Sequence, residues 1–350
     1  MAGGGPLAQP LRAVRRVERY GRDRPRAGPL RHLRGRPLTR LDLAYKAFYR
    51  RCKAGDKPGH PRFKGRWRFD SVSYPDSSGW RLNEDGGRLY LMGVGAVKLR
   101  LHRPLPGRAK TATLCRAGRR WWVTISCDQV PAEAPAPNGR AVGVDLGVAS
   151  VVTTSEGEHV ANPRHTKAAA ERLAAAQRDL AAKKRGSRRR RRAVERVAAH
   201  HRRVANCRRD HAHQLSRRLV DAYDVIVHED LRITNMVRSA SGTVDAPGTN
   251  VSQKSGLNRS IHDAGWAQLL SFMTYKAEEA GRTVIAVDPR NTSLTCAACG
   301  HVAKANRCSQ AVFRCTVCDH QAHVDENAAV NILRAGLARR ALREVQKKAA

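Results

Sequence analysis

Short apolar runs punctuate the second half of the chain. Ala141-Val142-Gly143-Val144-Asp145-Leu146-Gly147, residues 148–154, Asp224-Val225-Ile226-Val227-His228-Glu229-Asp230 and residues 283–287 each read as a strand, with a shorter one at 159–161. Two of these runs carry an acid towards the end, Asp145 and Glu229. Between them lie long stretches rich in Ala, Arg and Leu. Residues 166–221 predict helix, broken at Gly186-Ser187; a second helix is expected over 261–280 and a third over 325–338, followed by a basic helical tail. Strands alternating with long helices predict an α/β unit from 139 to 350.

The pattern before residue 139 differs. Leu41, Ala44, Tyr45 and Phe48 lie on one helical face, and a Gly- and Pro-containing loop ends that helix near residue 59. Five short runs follow, at 71–74, 89–92, 97–101, 111–115 and 121–126, separated by turn residues; together they predict a small β-barrel or twisted sheet within 41–138. Residues 131–139 hold three prolines and read as an extended linker. Residues 1–40 are rich in Arg, Gly and Pro and predict a disordered basic arm. The polar, Gly-containing stretch 239–258 predicts a loop or lid.

Charge narrows the function. Among 350 residues, 66 Lys and Arg stand against 30 Asp and Glu, a formal charge of +36. An excess of that size points to a polyanionic partner, because each neutralised phosphate releases condensed counterions. With no apolar run near the membrane-spanning length and no secretory leader pattern, a cytoplasmic protein is expected. The run Arg188, Arg189, Arg190, Arg191 and Arg192 is the densest charge. Like charges one turn apart oppose a free helix, which favours a phosphate backbone against them. Phe63, Trp67, Phe69, Tyr74, Trp121 and Trp122 interleave with basic residues and are candidates for base stacking or for core.

Metal chemistry gathers near the end. Cys296-Ala297-Ala298-Cys299 and Cys315-Thr316-Val317-Cys318 are two C-x2-C knuckles fifteen residues apart. That spacing brings four thiolates to one tetrahedral zinc, a closed and therefore structural site. The other five cysteines, Cys308 among them, are scattered, and a reducing compartment is expected. Asp145 and Glu229 at strand ends and Asp325 at a helix start could meet at one rim of a sheet. Clustered carboxylates suit Mg2+ or Mn2+, and a pair of such ions supports phosphodiester hydrolysis. Spacing leaves Asp224, Asp230, Asp288 and Glu326 open as alternatives. His211-Ala212-His213 resembles a metal-binding pair, yet residues two apart on a helix do not share a face.

Gly143-Val144-Asp145-Leu146-Gly147, His228-Glu229-Asp230-Leu231, Lys254-Ser255-Gly256-Leu257-Asn258-Arg259-Ser260-Ile261, Thr292-Ser293 before the knuckles, and Asp325-Glu326-Asn327-Ala328-Ala329-Val330-Asn331-Ile332 resemble the TnpB (OrfB) family of insertion-sequence proteins. The resemblance runs from about residue 41 onward. It implies an RNase H-like, RuvC-type nuclease domain over 139–350 with an inserted zinc ribbon at 291–322, preceded by a wedge-like β-barrel. It places Asp145, Glu229 and Asp325 on catalytic, magnesium-binding positions and Cys296, Cys299, Cys315 and Cys318 on zinc-binding ones. It further implies a transposon-encoded, RNA-guided DNA endonuclease with a guide RNA from the transposon end and a target DNA as partners; a catalytically spent accessory protein is the alternative. Two departures stand out. Val324 precedes Asp325 where the family shows a polar pair, and residues 1–40 lack the opening strand and recognition helices, so weak guided cleavage is expected of this chain.

Overall fold

The computed structural model of the protein describes residues 12–17, 35–63, 69–118, 120–131, 134–243 and 246–349. The chain divides into two units, Met1–Pro131 and Ala132–Ala350.

The first unit holds β1 (Arg12–Val17), α1 (Gly35–Lys53), β2 (Ser71–Tyr74), β3 (Trp80–Asn83), β4 (Arg88–Leu91), β5 (Gly95–Lys98), β6 (Arg108–Ala117) and β7 (Arg120–Asp128). They form two antiparallel sheets, β1-β7-β6-β2 and β3-β4-β5, within the stretch where a small barrel or twisted sheet is expected. Both sheets contribute to one core, with Tyr74, Leu89, Leu91, Val123 and Ile125 all buried. Tyr74 is a core residue whose hydroxyl donates to the Met92 carbonyl at 3.0 Å, which removes it from the stacking candidates. Phe63 is 91% exposed and stays among them, while Trp67 lies outside the described residues.

The disordered arm expected over 1–40 is corrected at residues 12–17 and 35–40, and the rest of it lies outside the described residues. Residues 12–17 pair antiparallel with β7, Arg12 opposite Ser126 and Val17 opposite Trp121, and α1 already begins at Gly35. The physical reason is that an edge strand is recruited through main-chain hydrogen bonds, which an Arg-rich segment makes as well as an apolar one. The opening strand that residues 1–40 were expected to lack is therefore present on the edge of β7.

The second unit is built on a five-stranded mixed sheet. Its strands are β8 (Ala141–Asp145), β9 (Ser150–Thr154), β10 (His159–Ala161), β11 (Val225–Glu229) and β12 (Thr283–Val287), in the order β10-β9-β8-β11-β12. β8, β11 and β12 run parallel, whereas β9 is antiparallel to β8 and β10 to β9. The parallel strands are apolar through their middles, where both faces are covered, and β8 and β11 turn polar only at their carboxyl ends. On one side lie α4 (Arg188–Ala222) and α7 (Trp266–Glu279), whose Leu215, Leu219, Leu269 and Met273 join Val142, Val144 and Ile226 in the main core. On the other lies α8 (Val324–Ala349), with Ile332 against Val225, Val227 and Ile285.

α8 sits unusually close to the sheet because two glycines meet at its seat. A Cβ on Gly143 of β8 would come within 2.0 Å of the Ala329 carbonyl oxygen, and one on Gly336 within 2.4 Å of Val227. Both positions need the absence of a side chain. The remaining helices are α2 (His165–Ala168), α3 (Ala170–Ala181), α5 (Ile233–Met236) and α6 (Val251–Ala264). The loop expected over 239–258 thus ends at residue 250. The helix expected over 261–280 is two helices, because Gly265 adopts φ +72° and terminates α6 before α7 starts.

The far end of the linker is fastened. Asp224 accepts the backbone N–H groups of Asn138 at 2.8 Å and Gly139 at 2.6 Å, and pairs with the buried Arg282, which also donates to the Ala136 carbonyl. Among the described residues no helix is long and apolar enough to cross a membrane.

Candidate active site and metal centre

Asp145 and Glu229 are the last residues of neighbouring parallel strands in register, Val144 lying opposite His228. Parallel strands end at the same edge, so the two carboxylates stand side by side at the carboxyl rim. Asp325 enters from the first turn of α8, where a negative charge faces the positive end of the helix dipole. Its backbone N–H donates to His323 Nδ1 at 3.2 Å, so the imidazole acts as the cap of this helix. Its carboxylate comes to 3.9 Å from the position a Cβ on Gly147 would take, just beyond β8.

Asp145 lies within the field of both other acids. Burial, then the charges of Glu229 and Asp325, push the Asp145 carboxyl up to about 7, against the pull of the Leu146 N–H and the Arg307 guanidinium. Burial also raises Glu229, opposed by the hydroxyl of Thr292, which donates to its Oε1 at 2.6 Å. A buried carboxyl whose ionisation is further opposed by two neighbouring acids gives up its proton more readily once a cation is beside it. Carboxylate oxygens are hard donors of the kind that Mg2+ and Mn2+ take.

The alternatives left open by spacing lie elsewhere on the fold or hold charged partners of their own. Asp224 lies at the opposite end of β11, engaged by Arg282. Asp288 is paired with Arg290 at the surface, and Glu326 accepts from His159 Nε2 at 2.8 Å. Asp230 is exposed just past the strand.

The four cysteines form a second centre. Cys296, Cys299, Cys315 and Cys318 bring their sulfurs within 4.8 Å of one another, with Cys296 to Cys318 and Cys299 to Cys315 both at 3.6 Å. Four sulfurs bound to zinc at about 2.3 Å in a tetrahedron would be about 3.8 Å apart, so the cage fits that ion. The two knuckles repeat one geometry. The N–H of Ala298 points at Cys296 Sγ and that of Val317 at Cys315 Sγ, each at 3.4 Å, and Gly300 and Asp319 turn the chain with positive φ. The fully buried Asn306 braces them, donating to the carbonyls of Leu294 and His301 and accepting from Thr316. Cys308 is exposed and outside the cage.

The expected nucleic-acid contacts divide. Arg188, Arg189, Arg191 and Arg192 are exposed in the first turns of α4. Arg190 turns inward and donates to the carbonyls of Leu180 and Lys183, closing the end of α3, so its guanidinium is committed to the fold. Trp121 and Trp122 are half-buried in β7. His211 and His213 leave α4 in different directions: one faces His165, and the other stacks on Phe272 at 3.9 Å. They do not form a metal pair.

The sequence does not reveal Arg307 beside the acids, nor the contact that Thr292 makes with Glu229. Arg307 is one of 66 basic residues, and only folding of the knuckle region brings it near Asp145. Thr292 carries a signal only through its place before the first knuckle.

A family model described as "Probable transposase" (OrfB_IS605) matches residues 124–240, and one described as "Cas12f1-like, TNB domain" matches residues 266–332. The chain is 37% identical over 299 residues to "Putative RNA-guided DNA endonuclease InsQ" of Escherichia coli K12, covering 85% of this chain and 73% of that protein. It is 35% identical over 309 residues to "Putative RNA-guided DNA endonuclease" of Streptomyces pristinaespiralis, covering 86% and 70%. A Cas12f1–sgRNA–target DNA complex is more distant, at 16% identity and a TM-score of 0.40 over 75% of this chain and 66% of that one. Identity of this extent over most of both sequences means that the protein belongs to the TnpB (OrfB) family of insertion-sequence proteins.

Proposed function

We propose that the chain is an RNA-guided, divalent-metal-dependent DNA endonuclease of the transposon-encoded kind, acting in the cytoplasm. The observation that carries this reading is the convergence of Asp145, Glu229 and Asp325 at the rim of the mixed sheet, with Asp145 pushed up to about 7 by burial and by the other two. The names of the relatives from Escherichia coli and Streptomyces pristinaespiralis support it. The strand order, with the second strand antiparallel, suits an RNase H-like, RuvC-type domain over 139–350. Residues 41–138 then serve as the wedge-like part that grips the guide, and 291–322 as the zinc ribbon.

Bound Mg2+ or Mn2+ would supply an activated water and steady the leaving oxygen of the phosphodiester. The residues of this chain do the rest. Asp145, Glu229 and Asp325 would hold the ions from two strand ends and one helix start. Arg307 sets a positive charge beside the acids, where a phosphate would approach. The exposed Arg188, Arg189, Arg191 and Arg192 hold nucleic acid by its backbone, and base pairing to the guide supplies sequence specificity.

Sequencing the RNA that copurifies with the chain tests this. A discrete guide species should appear, and DNA matching its variable end should be cut in Mg2+ while a scrambled target is not. Recovery of a discrete RNA without cutting of its matched DNA would support a catalytically spent accessory protein instead.

A further inference from the structure

Glu229 is buried, and one of its oxygens is committed to the Thr292 hydroxyl at 2.6 Å. Thr292 is buried as well, and its single proton has a second acceptor available, the Pro289 carbonyl at 3.1 Å. The shorter, charge-assisted bond to Glu229 is the stronger of the two. Thr292 opens the strap that runs into the first cysteine knuckle, and α8 holds this strap along its length. Asn331 donates to the carbonyls of Thr292 at 2.9 Å and Thr295 at 2.7 Å. Asn327, one turn earlier and fully buried, donates to the same Thr295 carbonyl at 2.7 Å and accepts the Ala297 N–H at 2.9 Å. Arg334 adds a bond to the Ala297 carbonyl. These side chains lie on the face of the helix whose first turn carries Asp325.

We propose that Thr292 is the positioning residue for Glu229, and that Asn327 and Asn331 fix Thr292 so that the strap ties the orientation of Glu229 to the helix bearing Asp325. The inference rests on the reading of the three acids as a divalent-ion site. Fixing one oxygen of Glu229 on Thr292 leaves the second free for an ion and stops the carboxylate from rotating between ligating and non-ligating positions. The base of the zinc ribbon is then a working part of the acid site, in addition to being folded by its own metal.

The test is Mn2+ binding to the zinc-loaded full chain, followed by electron paramagnetic resonance of the free ion, so that no cleavage or guide is required. Thr292→Val keeps the shape and removes the donor; it should weaken Mn2+ binding about tenfold, the usual scale for losing a partner that orients a ligand. Thr292→Ser, which keeps the hydroxyl, should bind within about twofold of the natural chain. In a Glu229→Ala background, Thr292→Val should cause no further loss. Unchanged Mn2+ binding in Thr292→Val, or an equal loss with and without Glu229, would overturn the proposal. If Thr292→Val loses zinc, Thr292→Ser decides, since a serine variant that binds about tenfold more weakly also overturns it. Asp145→Ala separates the two levels. If it weakens Mn2+ binding while Thr292→Val does not, only the role of Thr292 fails; if Asp145→Ala has no effect, the divalent-ion site fails and the proposal with it.

Discussion

Gly143→Ala is the smallest change that should separate the acids without touching any of them. The added methyl would lie 2.0 Å from the Ala329 carbonyl oxygen and 2.8 Å from the Leu333 N–H nitrogen, and both are backbone atoms that cannot swing away. Real Cβ contacts begin at 3.0 Å, so α8 must move off β8 by at least about 1 Å there. Overpacking of this kind costs about 1–3 kcal/mol. For a unit of this size, that lowers Tm by roughly 2–12 °C. Asp325 rides on the same helix and Asp145 on the same strand, so the acids separate by a comparable amount, and a misplacement near 1 Å is worth about 100-fold in rate. The assay pairs urea unfolding with Mg2+-dependent cleavage at a temperature where the variant is fully folded, and nucleic-acid binding serves as the control. A variant that cuts within about threefold of the natural chain and unfolds within about 0.5 kcal/mol of it would refute the close seating of α8.

Cys299→Ala should release zinc and lower the unfolding midpoint, because a structural zinc contributes folding free energy directly; metal analysis showing full occupancy would contradict the cage. Replacing Arg188, Arg189, Arg191 and Arg192 together with Ala should flatten the dependence of log affinity on log salt, by about one unit for each phosphate that no longer has a guanidinium against it, whereas Arg190→Ala should act mainly on stability. An unchanged salt slope in the fourfold variant would remove this helix from the binding surface. In Mg2+-free buffer with zinc retained, Asp145 binds more protons folded, at about 7, than unfolded, at 3.8, so stability should fall as pH rises from about 5 to 7. Asp145→Asn should flatten that limb of the urea-midpoint profile, and an identical slope in the variant would contradict the crowding of the acids.

What the sequence disclosed follows the range of the interactions involved. The cysteine cage was legible because two knuckles and their spacing are local. Asp145 and Glu229 were legible as acids ending apolar strands, and Asp325 as an acid opening a helix, but only folding separates them from Asp224, Asp288 and Glu326 by giving each of these a partner. Thr292 contacts a carboxylate 63 residues away, and the charge of Arg307 acts on Asp145 from between the cysteine knuckles, so neither leaves a periodic trace. β1 is hidden in the sequence because its pairing to β7 is a main-chain property, while the composition of residues 12–17 resembles an arm. Arg190 looks like its neighbours in the sequence and differs only in where the helix turns it.

The central claim is that three carboxylates from two strand ends and one helix start perform guided cleavage together. Its most direct test is cleavage of a guide-matched DNA in Mg2+ by the natural chain and by Asp145→Ala, Glu229→Ala and Asp325→Ala, with RNA binding measured on the same samples. The account predicts that each substitution reduces cutting to background while RNA affinity stays within about threefold, since binding rests on the basic surface and hydrolysis on the acids. Undiminished cutting by Asp325→Ala would contradict it.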